Sequence, residues 1–300
     1  MRKSVLYKVS GYLLVILIIY WVFSSPVSAQ SFKKKRYTSY GFTAGASNYV
    51  GDLDANFRTV QETDYYVGGT YNYRYGPQVT LRGQISYTNV HGKDANSRDE
   101  ARFYRNLSFK SYVVELSGHI IIDFFENSGV WTKRQIYTPY MFGGIGVFKF
   151  NPQAQLNGTW YDLQPLGTEG QGLGALGYDN YAADKYALIQ ICLPFGIGYR
   201  YKLNSHMDLA FEIGWRKTFT DYLDDVSTVY AQPDDIVKQS GPVAAKLADR
   251  SNEWNDPNIS NGYLPDNQRG DPTDDDWYIL TGLHFTYIYR AGGVKCPKFR

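Results

Sequence analysis

Glu115, Ser117 and His119 stand at alternate positions of one segment, and with His284 they supply the residue types of a Ser–His–acid set for acyl transfer. Residues two apart on an extended chain share a face. That face carries further charged groups and sits at mid-depth, whereas acyl transfer on a membrane lipid needs a site open to lipid or to a rim. No catalytic residue is assigned, and no enzyme is expected. The four His and two Cys show no zinc-ligand spacing, and no glycine-rich loop opens a helix to cradle phosphate. The stretch from Asp221 to Asp276 is rich in Asp but lacks the terminal Glu of an EF-hand loop, so it reads as solvated charge. Neither metal nor cofactor is expected. Cys192 and Cys296 would pair only if the chain's end folded into a filled interior, so free thiols are expected.

The more telling constellation is ionic. Arg74, Arg82, Arg200 and Arg216 fall on the polar faces of alternating segments, as do Glu115, Asp123, Asp208 and Glu212. Four charges of each sign on inward faces form a set that can neutralise itself. Isolated, each would cost several kcal/mol to bury.

Eight segments of period-two alternation position them: near 39–50, 65–75, 78–87, 112–124, 138–150, 187–201, 206–218 and 277–290. Val114, Leu116, Ile120 and Ile122 alternate with Glu115, Ser117, His119 and Asp123; Leu209, Phe211, Ile213 and Trp215 alternate with Asp208, Glu212 and Arg216. The fifth segment, with Gly143, Gly144 and Gly146, gives no phase. Each segment reaches the roughly 9 to 11 residues a tilted strand needs to cross a bilayer, and the apolar faces end in Tyr and Trp. The fold expected is an all-β, antiparallel up-and-down transmembrane barrel of about eight strands with a closed, charged lumen. A soluble sandwich or lipocalin-like barrel is the competing reading.

The first residues agree. Arg2, Lys3 and Lys8 precede an apolar run from Tyr12 to Phe23, and Val27-Ser28-Ala29 suits a signal peptidase, so 1–29 reads as a cleaved signal. Its removal leaves 28 basic against 29 acidic residues, and nothing points to nucleic acid. A basic leader (30–37), the barrel (38–290) and a short tail (291–300) follow. Short turns at 75–78, 127–136 and 202–205 alternate with long gaps at 51–64, 91–108, 151–185 and 220–276. Short turns belong on the periplasmic side, which places both termini there, in the outer membrane of a Gram-negative bacterium. The leader Lys33, Lys34, Lys35 and Arg36, with the tail carrying Cys296, would then face inner-leaflet phosphates or a periplasmic partner.

RNLSFKSYVVELS (105–117), TPYMFGGIGVFKFNP (138–152), WYDLQPLGTEGQG (160–172), ICLPFGIGYRYKL (191–203) and EIGWRKTFTDYLDDVS (212–227) resemble the PorG-type outer-membrane barrel of the Bacteroidota type IX secretion system, a DUF6089-like family. The likeness runs from about Tyr37 to Tyr289. It implies a non-enzymatic secretion component, tied also to gliding motility, that sits beside a periplasmic ring of PorK and PorN type, with outer-membrane lipid and lipopolysaccharide around it. The translocon or secreted cargo would meet the loops, through Trp160, Tyr161, Gln164, Glu169, Asp221, Tyr222, Asp224 and Asp225. The alternatives are a stand-alone structural or adhesive barrel and, more distantly, a lipid-modifying barrel enzyme.

Overall fold

A computed structural model describes residues 36–53, 62–127, 131–178, 180–254 and 266–291. The signal segment, Lys33 to Lys35 and the tail with Cys296 lie outside the described residues. The chain forms β1 (Tyr37–Val50), β2 (Thr63–Arg74), β3 (Val79–Lys93), β4 (Ser108–Asp123), β5 (Tyr137–Leu156), β6 (Thr159–Asp162), β7 (Ile189–Lys202), β8 (Met207–Thr218) and β9 (Trp277–Ala291). Every pairing is antiparallel. Eight strands run in the order β4-β3-β2-β1-β9-β8-β7-β5, and a β4–β5 ladder closes the ring, leaving β6 as a short addition to β5.

The alternation places apolar side chains outside and polar ones inside. Leu116 is 66% exposed and Ile145 60%, while their neighbours Glu115, Ser117 and Gly146 are buried. A soluble barrel does the reverse. A closed wall of exposed Leu, Ile, Val, Phe and Tyr is stable only against hydrocarbon, so the chain crosses a membrane with its strands. No helix among the described residues is long and apolar enough to cross one.

β5 takes the phase that its glycines hide. Met141, Ile145 and Val147 face out; Tyr140, Phe142, Phe148 and Phe150 are buried. Gly144 has no room for a side chain, because a Cβ there would come 2.0 Å from the Gly118 carbonyl oxygen. Close strand approach therefore requires glycine in a segment where hydropathy contrast is needed to read a face.

The long connections differ most from expectation. β3 continues to Lys93, and the gap expected at 151–185 begins with a hairpin: β5 extends to Leu156, Asn157 (φ 51°) and Gly158 (φ 83°) make the turn, and β6 returns. Asn-Gly with both residues at positive φ is the sequence pattern of a two-residue hairpin turn. Helix α1 (Glu100–Arg105) lies between β3 and β4, its N-terminus capped by Asp99. Helices α2 (Pro233–Ser240) and α3 (Pro242–Ala248) meet at Gly241, whose φ of 85° turns the chain between them. These segments do not hang in solvent. Leu53, Leu163, Leu223, Val226 and Leu247 share one buried cluster with Val90, Phe109, Phe148 and Phe150 from the strands, so the loops form a cap continuous with the barrel's core.

Candidate functional site

Below the cap, the inward charges meet across the lumen. Arg82 on β3 grips Glu212 on β8 with two hydrogen bonds of 2.7 and 2.9 Å. The Tyr140 hydroxyl also donates to Glu212, and His284 Nε2 lies 3.0 Å from it. Arg216 Nε reaches Glu115 at 3.3 Å, and the hydroxyls of Ser117 (2.5 Å) and Tyr278 (2.8 Å) complete that carboxylate's shell. Asp123 takes two arginines, Arg74 and, at 3.2 Å, Arg200.

Asp208 corrects the expected set. Its partner is Arg134, from the turn before β5, at 2.6 Å; the same guanidinium donates to the carbonyls of Trp131, Asn204, Ser205 and Met207. The network thus has five arginines for four carboxylates. A residue in a turn carries no alternation, so no pattern marked Arg134 as inward. Tyr140 and Tyr278 were missed for a related reason: on an unphased or apolar strand, a phenol reads as girdle.

The side chains pack closely enough that the cavity between Arg82, Tyr140, Arg200 and His284 holds about 20 Å³, room for about one water. Ser117 donates to Glu115, not to a histidine. His119 stacks on Phe142 at 5.4 Å, and both its ring nitrogens are buried without a partner among the described residues. No nucleophile–base contact joins the Ser, His and acid. Cys192 is free, buried, and 3.8 Å from the Tyr278 hydroxyl. Among the described residues no three His, Cys, Asp or Glu side chains are grouped to hold a metal ion. At the short-turn end, the Arg36 guanidinium lies over the Tyr75 ring at 5.1 Å.

Within the Asp221–Asp276 stretch the solvated reading holds for Asp234, Asp266, Asp271 and Asp274, which are exposed, but not for Asp224, Asp225 and Asp276, which are buried; other acids of the cap are internal too. Glu169 accepts from the amides of Ser227 (2.9 Å) and Thr228 (3.1 Å) and from Arg269 (2.9 Å). Asp225 accepts from the hydroxyls of Thr168 and, at 2.6 Å, Tyr186. Asp94 holds Arg105 at 2.6 and 2.8 Å. Glu169, Asp224 and Asp225 are therefore structural, not free for an external partner. Of the other expected loop contacts, Trp160 is 50% exposed, Tyr161 packs partly on the core, Gln164 donates to the Tyr186 carbonyl, and Tyr222 stacks on Tyr186 at 4.6 Å.

Asp224 and Asp276 both lie against one hydroxyl, that of Tyr49, at 2.7 and 2.6 Å. A phenol has a single hydrogen, so two carboxylates at those distances cannot both be charged acceptors. Burial, and then neighbouring acids (Asp52 and Asp221 on Asp224; Asp224 and Asp221 on Asp276), pushes both well above the usual carboxylate range, and one proton is shared in the cluster. Burial likewise raises Asp221 to about 8, with Asp52 and Glu169 adding to it, and Asp225 to about 6.

A closed eight-stranded antiparallel barrel, apolar outside and ionic within, is an outer-membrane β-barrel. The chain belongs to a family known by its model as "Domain of unknown function (DUF6089)", which matches residues 13–164. No curated protein matches it. Among solved structures, it is similar to Neisserial surface protein A at 10% identity (84% of this chain, 97% of that one, TM-score 0.38). It is similar to the attachment invasion locus protein Ail of Yersinia pestis at 11% identity (85% and 99%, TM-score 0.36). A major outer membrane protein of Thermus thermophilus is 12% identical (85% and 99%, TM-score 0.38).

Proposed function

We propose that this barrel is a non-enzymatic component of the type IX protein secretion machinery that anchors or adapts a periplasmic ring of PorK and PorN type to the outer membrane. The observation that carries the reading is the filled interior. Five arginines and four carboxylates lock across the lumen, and a cap with its own core covers one mouth. Such a barrel is a poor conduit and a good anchor. The resemblance of five sequence stretches to PorG-type barrels supports the same role.

In this placement the short turns and both chain ends face the periplasm, and the cap faces outward. The ring would meet the leader Lys33 to Arg36 and the turns near Pro77 and Lys133; translocon or cargo would meet the exposed part of the cap around Trp160. Affinity purification from detergent-solubilised outer membrane tests it. Ring proteins are expected to co-elute with the wild type and less with a variant whose four leader basic residues are Ser. Deletion should abolish secretion of type IX substrates and leave lipid A unchanged. Normal secretion in the deletion strain, with no co-eluting ring, would overturn the reading.

A further inference from the structure

Two cations stand on the membrane-facing wall where apolar surface continues beside them. Lys149 of β5 is exposed and lies directly across the ladder from Ile189; Lys217 of β8, its side chain 39% exposed, lies across from Leu193 on one side and Trp277 on the other. Between them β7 presents Ile189, Ile191 and Leu193, all outward and at least 40% exposed. Lys149 has no ionic partner among the described residues. The Lys217 ammonium lies 5.1 Å from the centre of the Trp277 ring, and Asp275 approaches it only at 4.0 Å, the outer limit of an ion pair. Lys149 is thus open to an anion at the cap end, and Lys217 is held there by a ring face and one long carboxylate contact that an anion could displace.

Beside Lys217 the wall is indented. A groove of about 360 Å³ is lined by apolar Val50, Trp215, Trp277 and Ile279 together with Asp274 and Asp275. Phe195 stacks on Trp215 and meets Trp277 edge-on, with centroids 6.1 Å from each. Ile279 points outward from its strand yet is only 8% exposed, with Trp215 directly across the ladder. An indented apolar surface on a wall that faces hydrocarbon is filled by a lipid chain, and interfacial Trp beside Lys is the pairing that holds a phosphorylated headgroup above such a chain.

We propose that the wall spanning β5, β7, β8 and β9 is a binding site for a phosphate-bearing glycolipid of the outer leaflet. One acyl chain lies in the Trp215–Trp277 groove or along Ile189 and Leu193, and Lys149 and Lys217 neutralise phosphates on either side of β7. Long lysine stems lie along apolar wall while the ammonium rises to the headgroup level. The lipid belongs to the outer leaflet because the cap end faces outward, so this rests on the orientation proposed above. Surface labelling of cells tests that orientation separately, and the binding measurement uses purified protein alone.

The experiment is native mass spectrometry of the folded full chain, released from micelles doped with equal amounts of bis-phosphorylated lipid A and phosphatidylcholine. Wild type should retain lipid A with roughly tenfold or greater preference. Monophosphoryl lipid A should be retained at an intermediate level. The double variant Lys149→Gln/Lys217→Gln should lose the preference, and Lys133→Gln, in a turn at the other end, should keep it. Heat-dependent gel mobility confirms folding; were the double variant not to fold, Lys217→Gln alone and the wild-type comparison of the three lipids decide. Equal retention of lipid A and phosphatidylcholine, unchanged preference in the lysine variants, or a lipid-free dimer covering the groove would overturn the proposal.

Discussion

Glu212 accepts from Arg82 and Tyr140 and sits against His284, so its loss leaves a buried guanidinium without a counter-charge. Glu212→Ala should lower the stability of the folded barrel by about 3–5 kcal/mol, and Arg134→Ala, which strands Asp208, by a similar amount. Lys93→Ala, an exposed residue at the end of β3, should change it by less than about 0.5 kcal/mol. Urea titration in detergent, read by heat-dependent gel mobility, measures all three. The cap acids give a second expectation at this scale. Asp221, near 8, and Asp225, near 6, bind protons more tightly folded than unfolded, where the ordinary value is 3.8. Folding then takes up protons, so the cap's stability falls as pH rises from about 4, until the pH passes each raised value. Hydrogen exchange in residues 220–230, corrected for intrinsic rate, should show more opening at pH 8 than at pH 5, and Asp221→Asn should flatten the upper half of that rise. A cap equally protected at both values would refute the raised carboxyls. The eight inward charges assigned from sequence all lie on strands with clear alternation. Arg134 and the internal role of Glu169 and Asp225 were illegible because turns and loops have no period from which to read a side.

At the scale of elements, legibility followed contrast. β4 and β8 alternate Ile, Leu or Phe with charge, and their faces could be read directly. β5 could not be read, since three glycines blur its hydropathy and two of them, Gly144 and Gly146, answer to close approach of neighbouring groups. The Asn157–Gly158 turn was present in the sequence, but the strand expected to end at Phe150 left it unread inside a long loop. Its two positive φ angles set a cost: Gly158→Ala should destabilise the β5–β6 hairpin by about 1 kcal/mol, seen as faster amide exchange in residues 153–162 with the barrel unchanged. On the lipid side, Leu116→Arg or Ile197→Arg, both outward-facing, should cost roughly 2–4 kcal/mol and reduce assembly, while Leu116→Ile should not. Normal assembly of both Arg variants would remove the case for a membrane-facing wall.

At the scale of the molecule, the ionic lumen and the cap are separate obstructions in series. Purified protein in planar bilayers should therefore show no steady conductance, and it should remain silent after removal of residues 233–254, because the arginine pairs lie beneath the cap. Open-channel steps from the intact chain would contradict the filled lumen.

The clasp at Tyr49 also imposes a sequence of events. Tyr49 is 175 residues from Asp224 and 227 from Asp276, and β9 both carries the chain on from Asp276 and supplies β1 with its second neighbour. The acids cannot engage that hydroxyl until the last strand has arrived beside the first. The cap is therefore expected to set last: its resistance to an added protease should appear only once the seam of the barrel has shut.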